Sequence, residues 1–446
     1  MKTLAWTKGR PTAVMIGALL LICLLPAAPA GADDGAPGIN TGDTAWVLIS
    51  AAMVMLMTPG LAFFYGGLVR RKNVLSVLMQ CFMVVCLVSL QWVLIGYSLS
   101  FGPSAGGFIG NLDWAGLSHI DGRPSAYAPG IPHQAFMIFQ MMFAVITPAL
   151  IVGAFAERMK FSSFCVFSLL WTTLVYDPVA HWVWGSGGFL GQMGALDFAG
   201  GTVVHINAGM ASLAAVFMLG RRQGYPHDVS PPHSLPFAVL GAAILWFGWF
   251  GFNAGSALGA NGLAANAFTV THVAAATAGL TWALLDWLMH KKPTTLGMIT
   301  GAVGGLVAIT PAAGFVNAMG AMGIGVGAGL LPWLAVTCLK PRLGYDDTLD
   351  AFGVHGIGGI WGALATGLWA TSSVNPGKPD GLFYGNPELL WIQFKAVGIT
   401  MVYAFVMSVA LFKAVSLLGG LRVNDHEERV GLDLTQHKES AYTIIN

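Results

Sequence analysis

The sequence predicts an all-α membrane protein with eleven transmembrane helices, arranged as an inverted five-helix repeat followed by a final long helix. Its 446 residues are 55% hydrophobic and only 9% charged, so they cannot cover the surface of a soluble domain with polar groups. Apolar segments long enough to cross a hydrocarbon layer of ~30 Å recur along the chain. Two of these segments carry the same combination of an aspartate and a histidine.

Residues 1–32 have the pattern of a cleaved secretory signal peptide. A positively charged beginning is followed by the apolar run 13–25 and by the small-residue stretch AAPAGA, which ends at Ala32. The alternative is a retained first helix, but the run is short for a span of roughly 20 residues. A leader implies that the mature amino terminus, at residue 33, lies outside.

Eleven apolar segments follow the leader, and we expect each to form one membrane span. They occupy roughly residues 44–69, 74–101, 133–156, 161–184, 198–220, 235–257, 263–289, 294–316, 318–339, 348–371 and 388–418. Together they define one eleven-helix domain over residues 33–418. The polar tail, residues 419–446, is too short to form a catalytic or nucleotide-binding module.

The loop charges predict the orientation of these spans. Every second connection is basic, beginning with the group Arg70, Arg71 and Lys72. The intervening connections contain only two basic residues, Arg123 and Lys378. By the positive-inside rule, the amino terminus is periplasmic and the tail is cytoplasmic, in a multi-pass protein of the cell inner membrane.

Composition also excludes several function classes. The formal net charge of +1 gives no basic field of the kind that nucleic-acid binding requires. Cys23 lies in the leader, and the other four cysteines fall in apolar spans, where small buried hydrophobes are expected rather than disulfides or metal ligands. We find no nucleophile with its base, no metal set and no phosphate loop, so neither an enzyme nor a cofactor is indicated.

The Asp and His pairs lie in the fifth and tenth spans. Asp197 precedes His205 by eight residues, about 12 Å along a helix, and Asp350 precedes His355 by five, about 8 Å. An odd separation of five spans makes the two helices run in opposite directions, which is typical of inverted repeats with a site near the midplane. Nearby glycines, such as Gly209, would permit close helix approach.

Ionisable groups inside a membrane normally face a pathway or a partner, so these helices are candidates for a functional site. One alternative is that each histidine is an ordinary core residue with its hydrogen bonds satisfied. Another is a metal site, but two histidines do not complete a tetrahedral zinc shell.

Several long motifs resemble those of the ammonium transporter (Amt) family, in the same order along the chain. They are GLAFFYGGLVRRKNVLS at 60–76, DFAGGTVVHINAGMASLAAVFMLGRR at 197–222, FGWFGFNAGSA at 247–257 and FGVHGIGG at 352–359. The resemblance covers essentially the whole chain after the leader. It implies an eleven-helix bundle that forms a homotrimer with one pore in each subunit.

The resemblance also implies an outer site for the substrate. Trp184 and Ser256 would form the ammonium recruitment site. Phe143 and Phe252 would form a stacked aromatic gate below it, and Phe139 would line the same vestibule. The alternatives are that Trp184 belongs to an interfacial aromatic belt and that the phenylalanines are core residues.

Deeper in the pore, the resemblance makes His205 and His355 the paired pore histidines. Asp197 matches the buried carboxylate near the recruitment site, although it could equally serve as a helix cap. Asp350 matches the acidic residue at the cytoplasmic mouth. A signalling protein of the PII type is the expected partner at that face.

The chemistry suits these residue types. A compact cation over an indole face gains ~0.5 to 2 kcal/mol, and a serine hydroxyl can accept one of its hydrogen bonds. Dehydrating an ammonium ion in an apolar pore is costly, whereas neutral ammonia has a smaller penalty. Two imidazoles can relay the released proton, since each neutral ring has one donor and one acceptor nitrogen.

Three further charged residues fall within apolar segments. Asp177 departs from the family pattern and shares a helical face with His181 and Trp184. It is either a carboxylate near the outer interface, accompanied by water or His181, or a source of negative potential at a cation entrance. Asp286 and Lys395 lie near segment ends, where we expect them to snorkel.

Three functions remain in competition. The first is an ammonium transporter that deprotonates ammonium and passes ammonia. The second is a Rhesus-type ammonia or carbon dioxide channel, against which Trp184 and Ser256 argue. The third is a sensor that acts through a partner at the cytoplasmic face.

Overall fold

The structure is a computed structural model, and it describes residues 38–227 and 231–442. A helix occupies each of the eleven predicted segments. These helices are α1 (Thr41–Leu68), α2 (Arg71–Phe101), α3 (His133–Phe155), α4 (Phe161–Gln192), α5 (Gly201–Leu219), α6 (Leu235–Gly255), α7 (Gly262–His290), α8 (Thr295–Ile309), α9 (Ala318–Leu343), α10 (352–369) and α11 (Pro387–Gly419). The predicted signal peptide lies outside the described residues.

Nine helices of the described chain, α1 to α7, α9 and α11, are long and apolar enough to cross a membrane. The helix α8 is shorter, and α10 consists of a π-helical segment followed by 13 α-helical residues. The prediction that the eighth segment continues to residue 316 is wrong. The helix ends at Ile309, and Pro311 O then accepts a hydrogen bond of 3.1 Å from Phe198 N. The chain leaves the helix here because it packs around Phe198, whose ring lies against Gly314.

The connection between α2 and α3 contains two short antiparallel hairpins. Strand β1 (Ser104–Ala105) pairs with β2 (Ile109–Gly110), and β3 (Pro124–Ser125) pairs with β4 (Ala128–Pro132). This end of the bundle, which also carries the start of α5, is called the loop side below. The hairpins pack against α4 through Trp182, whose Nε1 donates to Phe108 O at 2.7 Å.

The basic connections gather at the opposite end, called the tail side because the carboxyl tail packs on it. The buried Glu157 carboxylate accepts from Arg70 and from Arg222, each at 3.0 Å. Arg222 also pairs with Asp346 at 2.7 Å. Burial alone would raise the pKa of Glu157, but the two guanidinium groups outweigh it and hold that pKa below its usual value. The predicted grouping of the basic connections at one end is confirmed.

The tail adds two short helices, α12 (Asp425–Val430) and α13 (Leu432–His437). Asn424 and Glu427 form a capping box at the start of α12. At α13, Leu432 N donates to Asn73 Oδ1 and Asp433 accepts from Ser76 N, both at 2.8 Å. The tail is therefore fastened to the beginning of α2 by buried hydrogen bonds.

The four described cysteines are free, as expected. Cys81 and Cys165 are buried, and Cys338 is half-buried. Cys86, however, is exposed on the outer surface of the bundle, so its expected burial is wrong. The apolar pattern of α2 does not distinguish the face that packs inward from the face that contacts lipid.

Candidate pore site

The helices α5 and α10 begin in the same way. The Asp197 carboxylate accepts hydrogen bonds from four successive backbone N–H groups, those of Gly200, Gly201, Thr202 and Val203, at 2.7 to 3.1 Å. Asp347 accepts from the N–H groups of Ala351, Phe352 and Gly353 at 2.8 to 3.4 Å. Both carboxylates thus satisfy donors that a helix start leaves without partners.

This geometry corrects the expected pairing of Asp197 with Asp350. Asp347, like Asp197, lies eight residues before its histidine. Asp350 has a left-handed φ of 60° and turns its carboxylate toward Lys340, with 2.6 Å between Oδ1 and Nζ. The repeat therefore relates Asp197 to Asp347, and Asp350 is a half-exposed ion-pair partner.

Both histidines lie in short π-helical segments. His205 belongs to the segment Gly201–Ile206, and His355 belongs to Phe352–Gly356. A regular α-helix resumes directly after each segment. Such segments are frequent at functional sites because the extra residue per turn redirects side chains. No hydropathy signal marks them, and sequence reasoning missed them.

The two imidazoles lie side by side near the centre of the bundle. Their ring centroids are 5.3 Å apart and their planes differ by 15°. His205 is 1% exposed and His355 is 4% exposed. Neither nitrogen of His205, nor Nδ1 of His355, has a hydrogen-bond partner in the described part of the chain. Because buried polar groups are normally paired, these rings are not ordinary core histidines.

Glycines bring the two histidine helices into contact. A Cβ atom on Gly209 would lie 2.3 Å from the Cα of Gly356. A Cβ on Gly359 would lie 3.0 Å from the Cβ of His205. The expectation that glycine permits close approach at this point is confirmed.

A column of aromatic rings leads from the loop side to the histidines. Ring centroids are 5.9 Å apart for Trp184 and Phe143, and 4.3 Å apart for Phe143 and Phe252. Phe252 is then 6.0 Å from the imidazole of His205. Phe139 packs edge-on against Phe143 at 4.9 Å. The structure brings together all the aromatic residues that the resemblance assigns to the outer half of the site.

The upper end of this column offers polar atoms. Trp184 Nε1 donates to Asp197 O at 2.9 Å, which fixes the indole inside the bundle beside Phe143. Ser256 ends α6, and its hydroxyl donates to Phe252 O at 2.8 Å. The oxygen of Ser256 therefore keeps lone pairs that can accept hydrogen bonds.

Trp249 is a further member of the site that the sequence did not single out. Its ring stacks on His205 with centroids 5.4 Å apart. Its Nε1 donates to Thr310 Oγ1 at 2.9 Å. The indole is therefore held by a hydrogen bond in addition to its stacking on His205. The motif FGWFGFNAGSA contains this tryptophan, but one-dimensional spacing does not show which of its aromatic residues face the histidines.

Two cavities adjoin the histidine pair. A small one of about 10 Å³ lies between Phe252, His205 and His355. A larger one of about 380 Å³ opens at the tail side, and its walls include His355, Asp286 and Asp350. His355 lines both spaces, so the closed part of the path lies on the loop side of the histidines, at the stacked phenylalanines.

The two remaining carboxylates are deeper than the sequence suggested. Asp177 is fully buried and accepts from Gln91 Nε2 at 2.7 Å and from Ser100 Oγ at 3.3 Å, not from His181. The expected alternative of His181 as its partner is wrong, because His181 bonds instead to Ser104 Oγ and Ser100 O. Asp286 is 5% exposed and does not snorkel, since it faces the tail-side cavity.

A bundle of long apolar helices, with buried polar side chains and cavities between two helices that begin alike, is typical of a multi-span membrane transport protein. The chain belongs to the Ammonium Transporter Family, whose sequence profile matches residues 45–442. Membership of a family of transporters confirms the expectation that the chain is not an enzyme.

Individual relatives agree with this assignment. An ammonium transporter of Bacillus subtilis is 53% identical over 404 residues, covering 91% of this chain and 99% of that protein. Ammonium transporter Amt1 of Archaeoglobus fulgidus is 49% identical over 406 residues, covering 91% and 100%. The crystal structure of Saccharomyces cerevisiae Mep2 matches with a TM-score of 0.83 and 36% identity, covering 87% of this chain and 89% of that one.

Among the described residues, no group of three or more His, Cys, Asp or Glu side chains could hold a metal ion. The rings of Trp249 and Phe252 lie beside His205, with centroids 5.4 Å and 6.0 Å from that of its imidazole.

Proposed function

We propose that this protein carries ammonium across the inner membrane by deprotonating it and passing ammonia along the histidine pair. The observation that supports this most strongly is the continuous column from Trp184 through Phe143 and Phe252 to His205 and His355. The choice of ammonium as the substrate is supported by the relatives that are named ammonium transporters.

In this proposal the loop side faces the periplasm, and the substrate first binds at Trp184 and Ser256. The indole face attracts a compact cation, and the hydroxyl oxygen accepts one N–H bond. Phe139 borders the same space. Asp197 does not bind the substrate directly, because its oxygens already accept four backbone hydrogen bonds. Its negative charge nevertheless favours a cation nearby.

Below this site the ammonium ion must lose its water and a proton. The stacked rings of Phe143 and Phe252 offer no hydrogen bonds to a charged ion, so its transfer would carry the full dehydration cost. Ammonia passes far more readily. The unpaired nitrogens of His205 and His355 then supply alternating donor and acceptor positions for ammonia and for the proton.

The remaining parts of the proposal concern assembly and partners. We place the tail side in the cytoplasm, with a PII-type signalling protein as the partner near Asp350. A homotrimer is supported by an outward-facing groove of about 340 Å³ between α6, α7 and α8, lined largely by alanines and other apolar residues. Residues 1–32 would be removed as the leader.

A Rhesus-type neutral channel is the second candidate, supported by the narrow apolar path itself. A sensor that acts through a soluble partner is the third candidate. It is supported by the tail, which is hydrogen-bonded to the beginning of α2 and so forms an ordered surface on the tail side. The first two candidates differ in whether charge moves with the substrate.

Ammonium-evoked current from purified protein in liposomes on a solid-supported membrane tests the proposal. We expect the natural protein to give a transient charge displacement and His205→Ala plus His355→Ala to abolish it. His272→Ala is a matched control, because it removes an exposed imidazole that packs on Trp246 and leaves both histidines of the pair intact. If neither protein gives current while ammonia equilibrates faster than in empty vesicles, the neutral channel replaces this proposal.

A further inference from the structure

Some charged side chains around the tail-side cavity have an ion-pair partner of opposite charge, and one does not. Besides His355 and Tyr65, four ionisable side chains line it, namely Arg222, Asp286, His290 and Asp350. Arg222 is paired with Glu157 and Asp346. Asp350 is paired with Lys340.

Asp286 is the exception. Its nearest ionisable partner in the described chain is His290, with 3.7 Å between Oδ1 and Nδ1. No described lysine or arginine forms an ion pair with it. Asp286 therefore places a negative charge in the cavity wall that no fixed cation balances.

The Asp286 carboxylate is held in one position by three helices. Oδ1 accepts from Trp333 Nε1 of α9 at 2.9 Å, and Oδ2 accepts from Thr294 Oγ1, the cap of α8, at 2.7 Å. Each oxygen retains capacity for another hydrogen bond. A Cβ on Gly297 would lie 2.2 Å from Oδ2, so this glycine makes room for the carboxylate.

The surroundings favour a cation over a neutral guest. Asp286 and His290 lie in the last turns of α7, where the carbonyl ends of the helix dipole attract positive charge. The same cavity extends to His355, whose Nδ1 is buried and has no partner in the described chain. A molecule that leaves the histidine pair therefore enters the space that Asp286 faces.

We infer that the tail-side cavity contains a second binding site, for a monovalent cation of the size of ammonium, formed by the Asp286 carboxylate. The inference rests on the proposed function for its role, which is to hold ammonium at the exit of the path. Asp350, the residue expected to mark this mouth, is already neutralised by Lys340.

The direct test uses rubidium, a monovalent cation close to ammonium in radius, and needs no transport. Crystals of the natural protein and of Asp286→Asn are grown in rubidium chloride, and anomalous scattering locates the ion. Asparagine can still accept from Trp333 and donate to Thr294, so the variant removes the charge and keeps the packing. We expect a peak beside Asp286 that the variant lacks. No peak in the natural protein, or an equal peak in both, overturns the inference.

A second measurement gives the consequence for transport. Ammonium chloride is applied to each side of oriented proteoliposomes, and the half-saturating concentration of the current is recorded. For Asp286→Asn we expect a rise of about fivefold from the tail side and little change from the loop side. Glu439→Gln, which removes one exposed carboxylate of the tail far from Asp286 in the sequence, should stay near the natural value.

If Glu439→Gln shifts the current as much as Asp286→Asn does, the effect comes from the general charge of this face and the inference fails. The two proposals can also fail separately. A rubidium peak in a natural protein that gives no ammonium current contradicts the proposed function and supports the cation site. Normal current without a peak contradicts the site alone.

Discussion

Asp197 and Asp347 serve first as structural anchors for the histidine helices. Each accepts several backbone N–H bonds in a buried setting, where a donor without a partner costs about 1 to 3 kcal/mol. The carboxylates therefore fix where each helix begins, and so how deep the histidine eight residues later lies. A helix cap therefore sets the position of each histidine.

Replacing Asp197 by alanine should destabilise the protein by about 2 kcal/mol or more, because four buried N–H groups lose their acceptor. The measurement is the midpoint temperature of unfolding in detergent. Asp121→Asn is the control, since its ion pair with Arg123 lies at the surface, where such a pair contributes only about 0 to 1 kcal/mol. Equal midpoints for the two variants would contradict the anchoring role.

At this scale the sequence pointed to the two histidines that the structure places side by side, but it matched Asp197 with Asp350 where Asp347 holds the equivalent position. Ionisable residues in apolar segments are conspicuous, so His205 and His355 could be found directly. Choosing between Asp347 and Asp350 requires knowing which carboxylate reaches the helix N–H groups. That depends on the left-handed turn at Asp350, which spacing along the chain does not reveal.

At the scale of elements, the centre of the bundle depends on contact between α5 and α10. The π-helical segments turn the imidazoles toward each other, and Gly209 lies directly against Gly356. The two helices touch here through backbone atoms. A larger residue at Gly209 could therefore not be accommodated by the movement of a side chain. Helix approach and histidine geometry are therefore linked.

Gly209→Ala should separate the two helices and greatly reduce ammonium-evoked current, because the new Cβ would lie 2.3 Å from a backbone carbon. Gly398→Ala in α11 is the matched control, since no atom lies within 4 Å of its added Cβ. The control should leave transport intact and stabilise its helix by up to about 1 kcal/mol. Full current in Gly209→Ala would show that the contact is dispensable.

Hydropathy located the helices α1 to α11, because a membrane span needs a long apolar run, but it gave no sign of the short tail helices α12 and α13. It could not locate π-helical segments, which need no particular composition, or the early end of α8, which depends on packing around Phe198. It also misjudged Asp286. A carboxylate near the end of an apolar segment looks like a snorkelling residue unless Trp333 and Thr294 are known to surround it.

At the scale of the whole molecule, the tail side is a charged platform that joins connections distant in sequence. Glu157 links Arg70 to Arg222, and Arg222 links Glu157 to Asp346. The tail packs beside it through Asn73. The positive-inside pattern predicted that basic residues gather here, but not that buried carboxylates bind them.

Acid should weaken this platform. The pKa of Glu157 in the folded protein is below its ordinary value of 4.5, so its ionised form stabilises the fold above that pH. The contribution is lost as the pH falls through the lowered pKa. We expect the unfolding midpoint to fall between about pH 5 and pH 3, and to fall less in Glu157→Gln. An identical acid response in both proteins would exclude Glu157 as its source.

The central claim is that ammonium enters as a cation and that its proton follows ammonia past His205 and His355. The most direct measurement records charge displacement and ammonia accumulation together in the same proteoliposomes. The account predicts one elementary charge for each nitrogen that crosses, and loss of the charge in the double histidine variant. Nitrogen accumulation without charge in the natural protein would contradict it.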